Sequence, residues 1–225
     1  MSSSTKADSK FDFQSYVVSK RALVEERLAE YLKDGEPKIL WDAMRYSVLS
    51  NGKRMRALLC LAAAETIATL SDGAEAEKAM DAALPCAAAI EMVHAMSLIH
   101  DDLPALDNDD FRRGKPTNHK VYGEAMALLA GDALLMLPIE ILLTRTPSTV
   151  TEERLLSVVL ELTRATGAQG MVGGQVADLI FTGTLPGNID KTSPTYSIES
   201  NSIDGKRRTI DEKTLESIHR GKTGA

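Results

Sequence analysis

Residues 83–100 read ALPCAAAIEMVHAMSLIH, a run with apolar or small side chains on nearly every face. A helix that is hydrophobic almost all round belongs in the middle of a bundle and not on its surface. The rest of the chain agrees with that placement. Aromatics are scarce at 4%, alternating patterns are rare, and Ala, Leu, Glu and Met dominate, which favours helix over strand. Helices are predicted at about 11–32, 37–49, 53–70, 74–102, 118–143, 151–166 and 168–181. The connections between the first six are short and carry Gly, Pro, Ser or Asp, as antiparallel neighbours need. The fold class expected is an all-α bundle.

The 225 residues carry 26 Lys+Arg against 32 Asp+Glu, a net charge of −6. No basic surface suggests nucleic acid. Cys60 and Cys86 form no CxxC, so neither a disulfide framework nor zinc is expected. Asp132, Pro138 and Glu140 interrupt the longest apolar run, so no transmembrane segment is expected. The N-terminal MSSSTKADSK resembles neither a signal peptide nor a transit peptide. These features predict a disordered stretch over 1–10 and a cytoplasmic protein, with the plastid stroma as the alternative compartment. Residues 183–209, rich in Gly, Pro, Ser, Asn and Thr without a period, predict an irregular loop. An amphipathic segment, 211–220, follows.

Directly after the apolar helix, residues 101–110 contain five aspartates, followed by Arg112-Arg113. Clustered carboxylates repel one another, and a divalent cation relieves this most simply. Hard oxygen ligands in this number suit Mg²⁺, which bridges carboxylates to phosphate oxygens. Asp101 and Asp107 lie six apart with Pro104 between them, so the helix must end and the chain fold back to bring them together. An EF-hand fits poorly, because a loop begun at Asp107 would need Gly where Arg112 stands. His94, Ser97, Leu98, Asp101 and Asp102 fall on neighbouring faces of the helix, with His94 about 10 Å along the axis from Asp101. On its own, a histidine on an apolar helix is more often a satisfied core residue. Below an acidic metal site it becomes a candidate diphosphate ligand.

A second cationic cluster, Asn51-Gly52-Lys53-Arg54-Met55-Arg56, opens a helix and makes an anion site of backbone amides and cations. Arg112, Arg113 and Lys115 form another, since guanidinium forks match phosphate oxygens. Two anion sites flanking one magnesium site predict two diphosphate substrates, only one of them metal-bound. Gly173-Gly174-Gln175 followed by Asp178 reads first as close helix packing and second as an amide and a carboxylate one turn apart.

In their order, GKRMR (52–56), EMVH (91–94), DDLPALD (101–107), RRGK (112–115), TNH (117–119), AGD (130–132), GQVAD (174–178) and HRGKT (219–223) resemble the trans-prenyltransferases, above all short-chain isoprenyl diphosphate synthases of the geranylgeranyl and farnesyl type. The resemblance implies an isoprenoid-synthase helical bundle around a central cavity, formed by residues 11–225 and usually a homodimer. It implies condensation of isopentenyl diphosphate with an allylic diphosphate (dimethylallyl, geranyl or farnesyl). Asp101 and Asp107, with Asp102 beside them, would hold Mg²⁺ on the allylic diphosphate, and Arg112 would bind the same group. Lys53, Arg56, His94 and Arg113 would hold isopentenyl diphosphate. Lys222 and Thr223 would touch the allylic diphosphate and the cation, with Gln175 as a further substrate contact. Met96 and Ser97, just before the aspartates, would set product length. A methionine in place of an aromatic leaves room for geranylgeranyl diphosphate.

The family's second aspartate-rich motif does not occur within these residues. The expectation is a C-terminally incomplete synthase, lacking its last helices and with weak or no turnover on its own. A farnesyl diphosphate synthase, a non-catalytic partner of a full-length synthase, and an HD-type metal phosphohydrolase using His94, His100 and Asp101 are the competing readings.

Overall fold

The computed structural model describes residues 11–71, 76–182 and 212–222. The predicted loop at 183–209, the N-terminal ten residues and Thr223 lie outside the described residues. The helices are α1 (Phe13–Tyr31), α2 (Lys38–Val48), α3 (Met55–Ser71), α4 (Ala76–Asp101), α5 (Asn118–Tyr122), α6 (Glu124–Arg145), α7 (Glu152–Thr166), α8 (Met171–Thr182) and α9 (Glu212–Lys222). The described residues are all-α apart from one two-stranded hairpin, β1 (Phe111–Arg112) paired antiparallel with β2 (Lys115–Pro116). It divides into two compact units, residues 1–156 and 157–225, and each is described by itself.

In the first unit α4 is the central element and packs against α1, α2, α3 and α6. Its Ala87, Ala88, Ala89, Met92, Met96 and Ile99 are all buried. Leu28 of α1, Met44 of α2, Leu61 of α3 and Leu134 and Leu142 of α6 close around them, each at most 2% exposed. Small side chains let α6 come close: a Cβ on Gly131 would lie 2.0 Å from the His100 ring. α1 begins where the Asp12 carboxylate accepts the amides of Gln14 and Ser15, at 3.0 and 3.1 Å. That is an N-cap of the preferred type.

Two expectations change. The single helix predicted at 118–143 is two, α5 and α6, because Gly123 adopts φ 85° and ψ 158°, a conformation outside the helical region and open mainly to glycine. The exclusion of membrane-length helices also fails, since 25 residues of α4 and the 22 of α6 are long and apolar enough by length and composition. Burial supplies the other explanation for α4, whose most apolar window is 61% buried within the protein. For α6 the figure is 39%, and its exposed face carries Asp132 and Glu140.

In the second unit α8 packs against α9. A Cβ on Gly174 would lie 2.2 Å from the Lys222 amide nitrogen. Close packing is therefore what Gly174 provides, as its sequence context suggested first.

Candidate diphosphate site

α4 runs to Asp101, and the backbone then turns back through Pro104, so that the Asp107 amide donates to the Asp101 carbonyl at 2.8 Å. Asn108, at φ 54°, continues the reversal by donating to the Leu103 carbonyl at 3.1 Å. The loop thus brings the two aspartates six positions apart side by side. The Asp101 side chain is half-buried and that of Asp107 exposed.

Asp102 points elsewhere. Its carboxylate is buried and takes both Nε and Nη2 of Arg112 on one oxygen, at 2.7 and 2.6 Å. Burial pushes its carboxyl pKa up, and the Arg112 hydrogen bond opposes that rise. Arg112 also reaches Asp109 at 3.4 Å. Nothing in the sequence pattern separated Asp102 from its neighbours. The turn at the end of the helix does so.

The hairpin carrying Arg112 turns on Arg113 and Gly114, both with positive φ, 53° and 76°. Two left-handed residues in a two-residue loop match the natural twist of paired strands. The absence of alternation hid this hairpin from the sequence, although the Arg-Gly step was a usable turn signal. Tyr46 of α2 anchors it by donating to the Pro116 carbonyl at 2.7 Å. Asn118 ties the following turn to the Ala43 carbonyl and the Ser47 hydroxyl, both at 2.8 Å.

The turn presents Arg113 to the other cationic loop. Its Nη1 donates to the Asn51 carbonyl at 3.0 Å, and a Cβ on Gly52 would lie 2.8 Å from the same nitrogen. Lys53 on that loop and Arg56 in the first turn of α3 stand exposed, and Arg54 is buried. One concavity is lined by Lys53, Arg54, Arg56, His94 and Arg113, with Glu91 in its wall. Four of the predicted substrate ligands, Lys53, Arg56, His94 and Arg113, therefore converge on one pocket. Burial first, then the charges of Arg56, Arg113, Arg112 and Arg54, hold the His94 pKa down to about 4. The imidazole is neutral at physiological pH and offers a single N–H.

Met96 is buried at 3% exposure on α4. The Ser97 hydroxyl turns back to the His94 carbonyl at 2.9 Å. His100 of the HD dipeptide turns its Nε2 to the Leu128 carbonyl of α6, at 3.2 Å. That ring position gives the phosphohydrolase reading no assembled ligand set. Within the second unit Lys222 Nζ meets Asp178 Oδ2 at 2.6 Å, and Gln175 Nε2 is buried without a hydrogen-bond partner.

No group of three or more His, Cys, Asp or Glu side chains among the described residues is arranged to hold a metal ion. The acidic loop offers a smaller set, Asp101 and Asp107, linked by their backbones. That donor set fits Mg²⁺, which keeps several waters and is commonly bound by one or two carboxylates together with substrate phosphates.

Residues 37–225 match the polyprenyl synthetase family. The chain belongs to that family. It is 45% identical to a dimethylallyltranstransferase of Fischerella ambigua over 96% of its own length and 53% of the relative's. It is 51% identical to a heterodimeric geranylgeranyl pyrophosphate synthase large subunit, chloroplastic, of Arabidopsis thaliana, over 76% of its length and 44% of the relative's. The chain therefore spans about half the length of these polyprenyl synthetases. Among solved structures, an FPP/GFPP synthase from Zymomonas mobilis is 35% identical, with a TM-score of 0.72 covering 94% of this chain and 65% of that one. The helical bundle is accordingly the polyprenyl synthetase fold.

Proposed function

We propose that the chain, with both units belonging to one synthetase domain over 11–225, serves a Mg²⁺-dependent condensation of isopentenyl diphosphate with an allylic diphosphate, giving geranylgeranyl diphosphate. The observation that carries this reading is the Arg113–Asn51 link, 3.0 Å long, which joins two cationic loops beside an acidic turn. One diphosphate is recognised by cations alone: Lys53, Arg56 and Arg113 take its oxygens and neutral His94 donates one N–H. The other is recognised at Asp101 and Asp107, with Arg112 on the same group. Asp102 acts on it by holding Arg112. By the family resemblance alone, Lys222, Thr223 and Gln175 are proposed as further diphosphate contacts.

When bound, the metal supplies charge to offset the leaving diphosphate. The protein's part is to orient the two substrates so that the double bond of one faces the carbon losing diphosphate in the other, and to keep that carbon dry. Met96 and Ser97 form the floor beneath the growing tail.

The exposed Leu129, Met136 and Leu143 of α6 recur every seven residues, each at least half exposed. Such a stripe supports a homodimer. The Arabidopsis relative's heterodimeric name favours testing pairing with a longer synthase as the second arrangement. The chloroplastic name attached to the same relative supports the plastid stroma beside the cytosol as the compartment.

Calorimetry tests the reading. Isopentenyl diphosphate should bind with or without chelator, and dimethylallyl diphosphate only with Mg²⁺. Equal chelator sensitivity for both ligands would overturn the division of labour. Transfer of labelled isopentenyl units, by the chain alone or mixed with a full-length synthase, then tests turnover.

A further inference from the structure

Glu91 lies in the middle of α4 and is only 4% exposed. A carboxylate so placed must be compensated, and the compensating groups belong to the first turn of α3 and the residue just before it. One oxygen accepts the amide of Ala57 at 3.2 Å. Ala57 is the third residue of α3, so its N–H is among the donors left without an intrahelical partner. The other oxygen lies 3.7 Å from Arg54 Nη1.

Arg54 is itself unusual. It adopts φ 53°, a region that costs a non-glycine residue energy and persists only when its surroundings impose it. Its side chain is 4% exposed and lies 3.7 Å from the Glu25 carboxylate through Nε. Nη2 donates to the Ser50 carbonyl at 2.9 Å, while Nε has no hydrogen-bond partner. Of the three cations here, Arg54 is buried, whereas Lys53 before it and Arg56 in the first turn of α3 are exposed.

We infer that Glu91 is a positioning residue for the diphosphate loop: by fixing Arg54 and the Ala57 amide together it sets the directions of Lys53 and Arg56. The inference rests on the proposed diphosphate role of those two cations. A carboxylate that merely lowered the local positive potential would do the opposite to affinity, because removing it would strengthen anion binding. The sign of the effect therefore separates the two.

The probe is inorganic pyrophosphate without metal, titrated into the unmodified chain, Glu91→Gln and Glu91→Ala. Positioning predicts binding weakened about tenfold or more in Glu91→Ala, because both anchors are lost. Glu91→Gln keeps an acceptor for the Ala57 amide and loses the charge facing Arg54, so about threefold weakening is expected. Equal or tighter binding by both variants overturns the proposal. Hydrogen exchange gives a second, ligand-free measurement. The Ala57 amide should exchange about tenfold faster in Glu91→Ala, with core amides of α4 and α6 unchanged, and an unchanged Ala57 rate also overturns the proposal. Should the unmodified chain fail to bind pyrophosphate, the proposed function fails, and the exchange rates still decide whether Glu91 holds the loop. If Glu91→Ala does not fold, the nearly isosteric Glu91→Gln carries the binding measurement, and unweakened pyrophosphate binding by it overturns the proposal.

Discussion

Arg112 and Asp102 form an end-on pair in which two guanidinium nitrogens share a single carboxylate oxygen, at 2.6 and 2.7 Å. The partners are unequal: the Asp102 side chain is 4% exposed and that of Arg112 31%. Removing either one leaves a different orphan. Arg112→Ala strands a buried carboxylate, whereas Asp102→Ala frees an arginine that can turn to water. Denaturant unfolding should show Arg112→Ala destabilised by about 3 kcal/mol and Asp102→Ala by about 1 kcal/mol. Equal losses would show that the pair is solvated.

The same pair has a pH signature. Burial raises the Asp102 pKa and Arg112 opposes the rise, so deleting Arg112 lifts it further. A carboxyl whose folded pKa exceeds its unfolded value stabilises the fold at low pH, and that stabilisation is lost as pH rises through the folded pKa. The deficit of Arg112→Ala relative to the unmodified protein should therefore shrink on acidification from neutrality. A deficit constant with pH would count against the buried carboxylate as its cause.

His94 titrates in the opposite sense. With a folded pKa of about 4 against 6.5 ordinarily, it binds its proton in the unfolded state first. Its contribution is fully present above about pH 6.5 and declines as pH falls toward 4. Melting temperatures of His94→Gln should fall less steeply than those of the unmodified protein across that window. Parallel curves would mean that the ring is solvated.

Met96 is buried on α4, where Met96→Tyr adds volume to a packed position. Overpacking of this kind costs about 1–3 kcal/mol. The ring should also raise the proposed floor beneath the prenyl tail, shifting product toward shorter chains in mass spectra. An unchanged product distribution would remove Met96 from the assignment.

Gly174→Ala tests the second unit, because its Cβ would lie 2.2 Å from the Lys222 amide nitrogen. The expected cost is about 2 kcal/mol, read as faster proteolysis within 212–222. Unchanged proteolysis would show that α9 adjusts its distance from α8.

The bundle was legible because α4 is apolar nearly all round, a pattern that has one comfortable location. The fold-back of Asp107 onto Asp101 was legible because Pro104 forbids a continuous helix. Convergence of Lys53, Arg56, His94 and Arg113 came from the ordered motifs and agrees with the pocket. Other features depend on contacts far apart in sequence. Gly123 sits within helical periodicity, and only its φ reveals the break. Arg54 reads like its cationic neighbours, and its inward direction follows from Glu91, 37 positions later. A lone glutamate in AAAIEMVHAM was the available signal, since such a charge must find a buried partner.

The contact between Gly52 and Arg113 has a consequence for how this chain can vary over time. A side chain at 52 would occupy the place of the Arg113 guanidinium, whose Nη1 lies 2.8 Å from the would-be Cβ. Either position changed alone disturbs the Asn51 link, so substitutions there should be tolerated together or not at all. Two segments about sixty residues apart are thereby bound into a single unit of inheritance.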